Sequence, residues 1–171
     1  MFALADYIGE DKVNLALRNF LEKNRFAKGP FPDTRGFVAA LREQTPPELQ
    51  YVITDMFESI VLYDNRAVSA TYVPTPDGKY KVTLKVSSQK KKADGSGNET
   101  STPIHDLIDV GVFSGTKEHM KRLNLHKEWI TQENAVFEMV VDEKPSLAGI
   151  DPYNKLIDRN PGDNLIEVDK K

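Results

Sequence analysis

The chain has 171 residues, enough for one large domain or two small ones. Hydrophobic residues make up 39% and charged residues 29%, and the formal charge of −3 argues against a broad basic surface that would bind nucleic acid. Cysteine is absent, which excludes disulfides, thiolate catalysis and cysteine-ligated zinc.

The N-terminal residues predict two helices in succession. The segment Phe2–Ile8 has apolar residues at helical spacing, and Gly9 suits its C-cap. No capping residue precedes this segment, so we expect the chain to be part of a longer polypeptide. The next helix ends before Gly29 and Pro30, and its predicted apolar stripe consists of Val13, Leu17, Phe20 and Leu21.

A third helix is expected after an N-cap at Asp33 or Thr34, with Phe37 and Leu41 on one face. A fourth helix has the strongest start signals. Thr45 and Glu48 fit a capping box, and a proline occupies the first helical position. Turn formers at 63–66 are expected to end this helix, whose predicted buried stripe is Leu49, Ile53, Met56, Phe57 and Ile60.

From Ala67 the hydrophobic period changes from 3.6 to 2, which indicates strands. The turn sequence Thr75–Lys79 predicts a hairpin between its two flanking strands. The segment Gln89–Ser101 is polar and is expected to be a long hairpin loop. Six short strands are predicted, at 67–73, 79–88, 107–113, 123–130, 135–142 and 164–168.

These patterns predict an α+β chain with an N-terminal helical segment followed by a small antiparallel Ig-like β-sandwich. We place the helical segment at 1–66 and the sandwich at 67–171. No apolar run is long enough to span a bilayer, and no signal peptide precedes the first helix. We therefore expect a soluble chain with no direct membrane span.

No catalytic motif emerges from the sequence. The three histidines, His105, His119 and His126, lack the spacing of a helical zinc site, so surface or half-buried histidines are the favoured interpretation. The sequence has no nucleophile elbow and no phosphate-binding loop. The lysines at 90–92 could bind an anion, but a solvated hairpin shoulder is favoured, and Asn98–Thr100 matches the short N-glycosylation pattern.

The segment Asp151–Asn164 concentrates aspartate and asparagine among prolines and a glycine. An EF-hand loop starting at Asp158 fails, because Gly162 occupies a ligand position and Asp169 stands where the bidentate glutamate belongs. A looser calcium site is one alternative. The other, which we favour, is that these side chains accept hydrogen bonds from nearby backbone N–H groups and so hold tight turns.

The sequences of several long segments resemble the C-terminal portion of bacterial M1-family zinc aminopeptidases, in the subgroup that carries an ABC-type permease membrane segment upstream. The segments are ALADYIGEDKVNLALRNFLEKNRF, LREQTPPELQYVITDMFESIVLYDNRA, PDGKYKVTLKVSSQKKKADGSGNET and AGIDPYNKLIDRNPGDN. The resemblance covers nearly the whole chain. Family members bind zinc through an HExxH motif and a downstream glutamate, and use a tyrosine to stabilise the transition state.

None of these catalytic positions has a counterpart here, so the resemblance implies no catalytic, cofactor-binding or metal residue in this chain. Tyr7 matches the helix that follows the family's catalytic tyrosine. The resemblance implies a chain that is inactive alone, with zinc in the parent enzyme. The parent would lie at the bacterial inner membrane, and the partners would be its upstream catalytic domain and peptide substrate.

Three functions follow as hypotheses. The first is a non-catalytic fragment that supports the catalytic domain of an M1 metallopeptidase. The second is an Ig-like protein- or peptide-binding module that uses loops or an edge strand. The third is an enzyme with an unfamiliar site on the acidic segment Asp151–Asp163. Arg66 could line a cleft, although a salt bridge with Asp64 or Glu58 is the favoured role.

Overall fold

The computed structural model describes residues 1–171. The chain divides into two compact units, Met1–Val61 and Leu62–Lys171, whereas the sequence pattern placed the division after residue 66. The first unit is mainly helical and the second is built from strands. The expected α+β class with N-terminal helices is therefore confirmed.

Three regular helices begin the first unit: α1 (Phe2–Ile8), α2 (Glu10–Asn24) and α3 (Thr34–Gln44). Gly9 separates α1 from α2 with φ of 92°, a conformation that glycine adopts without steric cost. Asp33 is the N-cap of α3, and its carboxylate accepts a hydrogen bond from the Gly36 N–H at 2.9 Å.

The apolar stripe predicted for α2 is only partly buried. Val13 and Ala16 are the buried residues of the helix, while Leu21 is 63% exposed. Phe20 meets Phe37 of α3 edge to face, with ring centroids 5.5 Å apart. The small Ala16 thus marks the buried face, and the prediction for Leu21 was wrong.

The predicted fourth helix is the largest departure from the sequence-based expectation. A 3₁₀ turn at Pro47–Leu49, a single α-helical turn, α4 (Gln50–Ile53), and a π-helical turn at Thr54–Glu58 take its place. The Thr45 hydroxyl donates to the Leu41 carbonyl at 2.8 Å, so Thr45 caps the end of α3 rather than forming a capping box.

Residues 60–66, expected in the same helix and the turn after it, are instead the first half of a long strand. Burial alternates there with period 2: Val61, Tyr63 and Asn65 are buried while Ile60 is 53% exposed. β-Branched and aromatic residues favour extended backbone once a sheet is available to pair with. Pairing with distant residues therefore overrides the local helix signal.

The structure has nine strands, compared with the six predicted. All of them except the first two residues of the first strand lie in the second unit. The strands are β1 (Ile60–Pro74), β2 (Tyr80–Ala93), β3 (Glu99–Thr102), β4 (Asp106–Gly115), β5 (Met120–Ile130), β6 (Asn134–Val141), β7 (Leu147–Ile150), β8 (Leu165–Glu167) and β9 (Asp169–Lys170).

These strands form two mostly antiparallel sheets. One has the order β3-β2-β1-β9, with β6 also paired to β2, and the other has the order β5-β4-β7-β8. β1 and β9 run parallel, with Thr71 opposite Asp169, which departs from the fully antiparallel expectation. The predicted hairpin between β1 and β2 is confirmed, and Gly78 in its turn has φ of 81°.

The long loop predicted at Gln89–Ser101 is wrong, because β2 continues to Ala93 and only Asp94–Asn98 form the turn to β3. Ser88 and Lys90 are buried in phase with the apolar residues before them. Polar side chains thus continue the period of the strand, and their polarity alone suggested a loop.

The core of the second unit draws on the inward faces of β2 and β4. Each of these side chains is at most 1% exposed, which makes it worth about 1.5–3 kcal/mol of hydrophobic stabilisation. They are Val82, Leu84, Val86, Ile108, Val110 and Val112. None of the helices combines the length and the apolar character that crossing a membrane requires.

Candidate functional site

The acidic segment after β7 is held by hydrogen bonds to its own backbone. The Asp151 carboxylate accepts from the N–H groups of Lys155 and Leu156, at 2.9 and 3.0 Å. Asp151 is 2% exposed and has φ of 41°. The segment therefore begins with a buried carboxylate that closes a tight turn, in agreement with the favoured sequence interpretation.

Two further aspartates in the segment also accept hydrogen bonds, Asp158 from backbone N–H groups and Asp163 from side chains. Asp158 accepts from the backbone N–H groups of Asn65 and Asn160, both at 2.9 Å. Asp163 accepts from the Asn160 side-chain amide at 2.9 Å and pairs with Arg66 at 3.1 Å. Asp158 and Asp163 Oδ2 hold the segment against β1, while Asp163 Oδ1 is buried without a hydrogen-bond partner.

The salt bridge expected for Arg66 with Asp64 or Glu58 was wrong. Arg66 pairs with Asp163, and Glu58 pairs with Arg42 at 2.6 Å. The reason is the change from helix to strand at residue 60, because side chains in a strand alternate between faces and meet residues that are distant in sequence.

A buried cluster of charges lies where this segment crosses β4. Asp109 on β4 receives two lysine ammonium groups, Lys127 Nζ at 2.8 Å and Lys155 Nζ at 2.7 Å. The Asp109 side chain is 6% exposed and that of Lys155 is 8% exposed. The Asp151 N–H donates to the Asp109 carbonyl at 2.8 Å, which joins the acidic segment to the same strand.

Burial raises the pKa of the Asp151 carboxyl to about 6, and the nearby Asp109 charge acts in the same direction. The two backbone N–H donors and Lys155 oppose this rise in pKa. With both carboxylates ionised, the two lysines are balanced by two negative charges. Because both Asp151 oxygens accept backbone hydrogen bonds, the group is a structural tie and is poorly placed to transfer protons to a substrate.

A second buried ion pair joins β2 to β4. Lys90 Nζ lies 2.8 Å from Asp106 Oδ1, with side chains 8% and 1% exposed, and 5.7 Å from the centroid of the Tyr63 ring. Lys91 pairs instead with Glu99 at 3.6 Å. The predicted solvated shoulder of lysines is thus wrong for Lys90, whose charge is balanced inside the unit.

The three histidines do not converge. His119 is exposed in the turn before β5, and His126 lies on β5 between Asn124 and Glu128. They are seven residue steps apart along a mostly extended chain, a separation of about 23 Å. His105 stacks on Trp129 at 4.9 Å between ring centroids.

No group of three histidine, cysteine, aspartate or glutamate side chains is positioned to hold a metal ion. Tyr7 lies within α1, and the Asn98 side-chain amide donates to Asp94 at 2.9 Å in the β2–β3 turn.

Sequence reasoning missed Asp109 and its two lysines. The signal was present, because Asp109 interrupts an otherwise apolar strand and a buried carboxylate requires partners. The identity of those partners depends on strand pairing: Asp109 lies opposite Lys127 across β4 and β5.

Comparison with protein-family models and with curated proteins gave no match to this chain.

Proposed function

We propose that this chain is a non-catalytic C-terminal portion of a membrane-associated M1-family zinc aminopeptidase, and that it supports the catalytic domain. The proposal starts from the long sequence segments that resemble that family. It assigns the zinc, the peptide substrate and the location at the bacterial inner membrane to the parent enzyme. By the same resemblance, the second unit is assigned to the Ig-like sandwich type, and its two mostly antiparallel sheets are compatible with that type.

The observation that carries the proposal is the exposed apolar surface of the helical unit. Phe26, Phe31 and Phe2 are 87%, 78% and 77% exposed, and Leu21 is 63% exposed. Apolar side chains that are exposed together in one patch mark an interaction surface, which is the role we infer for these residues. A unit of this size also buries a limited core, so it gains stability from a neighbouring domain.

The direct test is the coding sequence upstream of Met1. An HExxH motif with its downstream glutamate in the same reading frame would support the proposal, and an upstream segment without these residues would contradict it. The purified chain is expected to bind no stoichiometric zinc and to cleave no aminopeptidase substrate. Chelator-sensitive cleavage by the chain alone would instead favour an enzyme with its own site.

The interface can be tested separately, by expressing the upstream polypeptide together with this chain. Replacing Phe26 and Phe31 with serine should weaken co-purification of the two. The matched control is Ile157→Ser, since Ile157 is 68% exposed but lies in the second unit. Equal loss with the control variant would argue against the helical surface.

A further inference from the structure

β6 is an edge strand with one unused side. It pairs with β2 along its whole length, from Asn134 opposite Ser87 to Val141 opposite Tyr80, and with no strand on its other side. The free side of a strand presents a row of backbone N–H and C=O groups that another extended chain can pair with.

The side chains of β6 do not protect this edge. Val136, Glu138 and Val140 on the outward face are 59%, 58% and 53% exposed. The strand contains no proline, glycine or lysine, which are among the residues that commonly block edge pairing.

β5, the other long edge strand, shows the contrast within the same unit. It pairs only with β4, and the register shifts between Val112 and Phe113 of that partner. Charged or ionisable residues are spread along it: Lys121, Arg122, His126, Lys127 and Glu128. The chain thus guards one long edge with charge and leaves the edge of β6 open.

We propose that the β6 edge binds an extended segment of another protein, which adds to the sheet as a further strand. The bound segment carries a basic residue opposite Glu138 and apolar residues two positions to either side, opposite Val136 and Val140. Side chains of paired strands alternate with period 2, so the three contacts fall on one face. This assignment does not depend on the M1 proposal.

Charge selects the occupant. Glu138 pairs with Lys81 on β2 at 2.9 Å, but both side chains are about half exposed, and such a pair is weak in solvent. Glu138 can therefore interact with a second cation. A second copy of the chain is a poorer occupant, because the antiparallel register that pairs Val136 with Val140 places Glu138 opposite itself, and like charges in that position repel.

The probe is a seven-residue peptide with valine at positions 2 and 6, lysine at position 4 and threonine elsewhere, labelled for fluorescence anisotropy. Saturable binding to the full chain is expected. Glu138→Lys should weaken binding about tenfold, and should bind a matched peptide with glutamate at position 4 more tightly than the wild type does. Hydrogen exchange should show new protection of β6 amides when the peptide is bound.

Val136→Lys is expected to weaken both peptides, since lysine on an edge strand opposes pairing. The matched control is Val68→Lys on β1, where the valine is 54% exposed; this variant should bind like the wild type. The charge reversal at Glu138 keeps the test decisive if Val136→Lys folds poorly.

Three results would overturn the proposal. One is the absence of saturable binding. Another is an equal loss of binding in Val68→Lys and Val136→Lys. The third is a concentration-dependent dimer of the wild type, seen by light scattering without peptide, that Val136→Lys abolishes, which would make a second copy the occupant.

Discussion

Asp151 makes the second unit less stable as the pH rises. Its pKa is raised from 3.8 to about 6 in the folded chain, chiefly because burial disfavours the charged carboxylate. A folded pKa above the unfolded one means that folding opposes ionisation. Ionisation of Asp151 therefore lowers the free energy of unfolding. This loss is absent below the unfolded pKa, grows as the pH rises towards the folded pKa, and is complete above the folded pKa.

The magnitude follows from the two pKa values. The difference between 3.8 and about 6 corresponds to about 3 kcal/mol at neutral pH. Linkage between these values gives a loss of about 1 kcal/mol between pH 5 and pH 8. Asp151→Asn is neutral throughout this range and therefore lacks the loss. The asparagine amide also faces a backbone N–H that the carboxylate had satisfied, which lowers the variant's stability by a pH-independent amount of about 1–3 kcal/mol.

The assay is urea unfolding of both proteins from pH 5 to pH 8 at constant ionic strength, followed by the fluorescence of Trp129, the single tryptophan, which lies in the second unit. The free energy of unfolding of the wild type minus that of Asp151→Asn should fall by about 1 kcal/mol from pH 5 to pH 8. The matched control is Asp94→Asn, because hydrogen bonds from Asn98 lower the Asp94 pKa and its pH dependence falls below this range. A difference between the two proteins that stays constant or rises with pH would refute the argument.

Three more substitutions test the packing. Asp109→Ala should destabilise the second unit by about 3–5 kcal/mol in urea unfolding, because it leaves Lys155 buried without its carboxylate; a change below about 1 kcal/mol would contradict a buried pair. Gly149→Ala should lower the free energy of unfolding by at least about 2 kcal/mol, measured by thermal or urea unfolding, because a Cβ there would overlap the carbonyl oxygen of Asn164. The control Gly95→Ala has open space around the new Cβ and should leave the stability unchanged. Asp33→Ala should lower stability by about 1 kcal/mol, measured by helical circular dichroism during unfolding, and Asp33→Ser should restore most of the loss.

The features that the sequence predicted well are those decided by a few neighbouring residues. The N-cap at Asp33 needs only the N–H three residues on, and the turn between β1 and β2 needs only a glycine at position 78. The two predictions did not depend on what the rest of the chain does, and both hold in the structure.

The features that failed depend on distant partners. The segment after Thr54 has apolar residues that fit a helical stripe, yet Val61 and Tyr63 are buried as alternate residues of a strand. The Tyr63 N–H donates to the carbonyl of Ile157, which is distant in the sequence. No window centred on residue 60 contains that partner, so the helical period was the stronger local signal.

Buried charged residues explain why the sequence-based prediction missed both the full length of β2 and the cluster around Asp109. Lys90 and Asp106 are buried on β2 and β4, and Asp109 is buried on the opposite face of β4, three residues after Asp106. Sequence patterns treat such residues as surface or loop. Each is compensated by a partner that only the sheet register supplies, so the same missing information concealed the end of β2 and the cluster around Asp109.

The distribution of charge also bears on function. The second unit places ammonium and carboxylate groups in its interior and along β5, where they hold the acidic segment and protect an edge. The outward face of β6 carries the single charge of Glu138 between two exposed valines. Charged residues protect the free edge of β5, whereas the free edge of β6 has no such protection. We therefore expect another polypeptide to bind at the β6 edge.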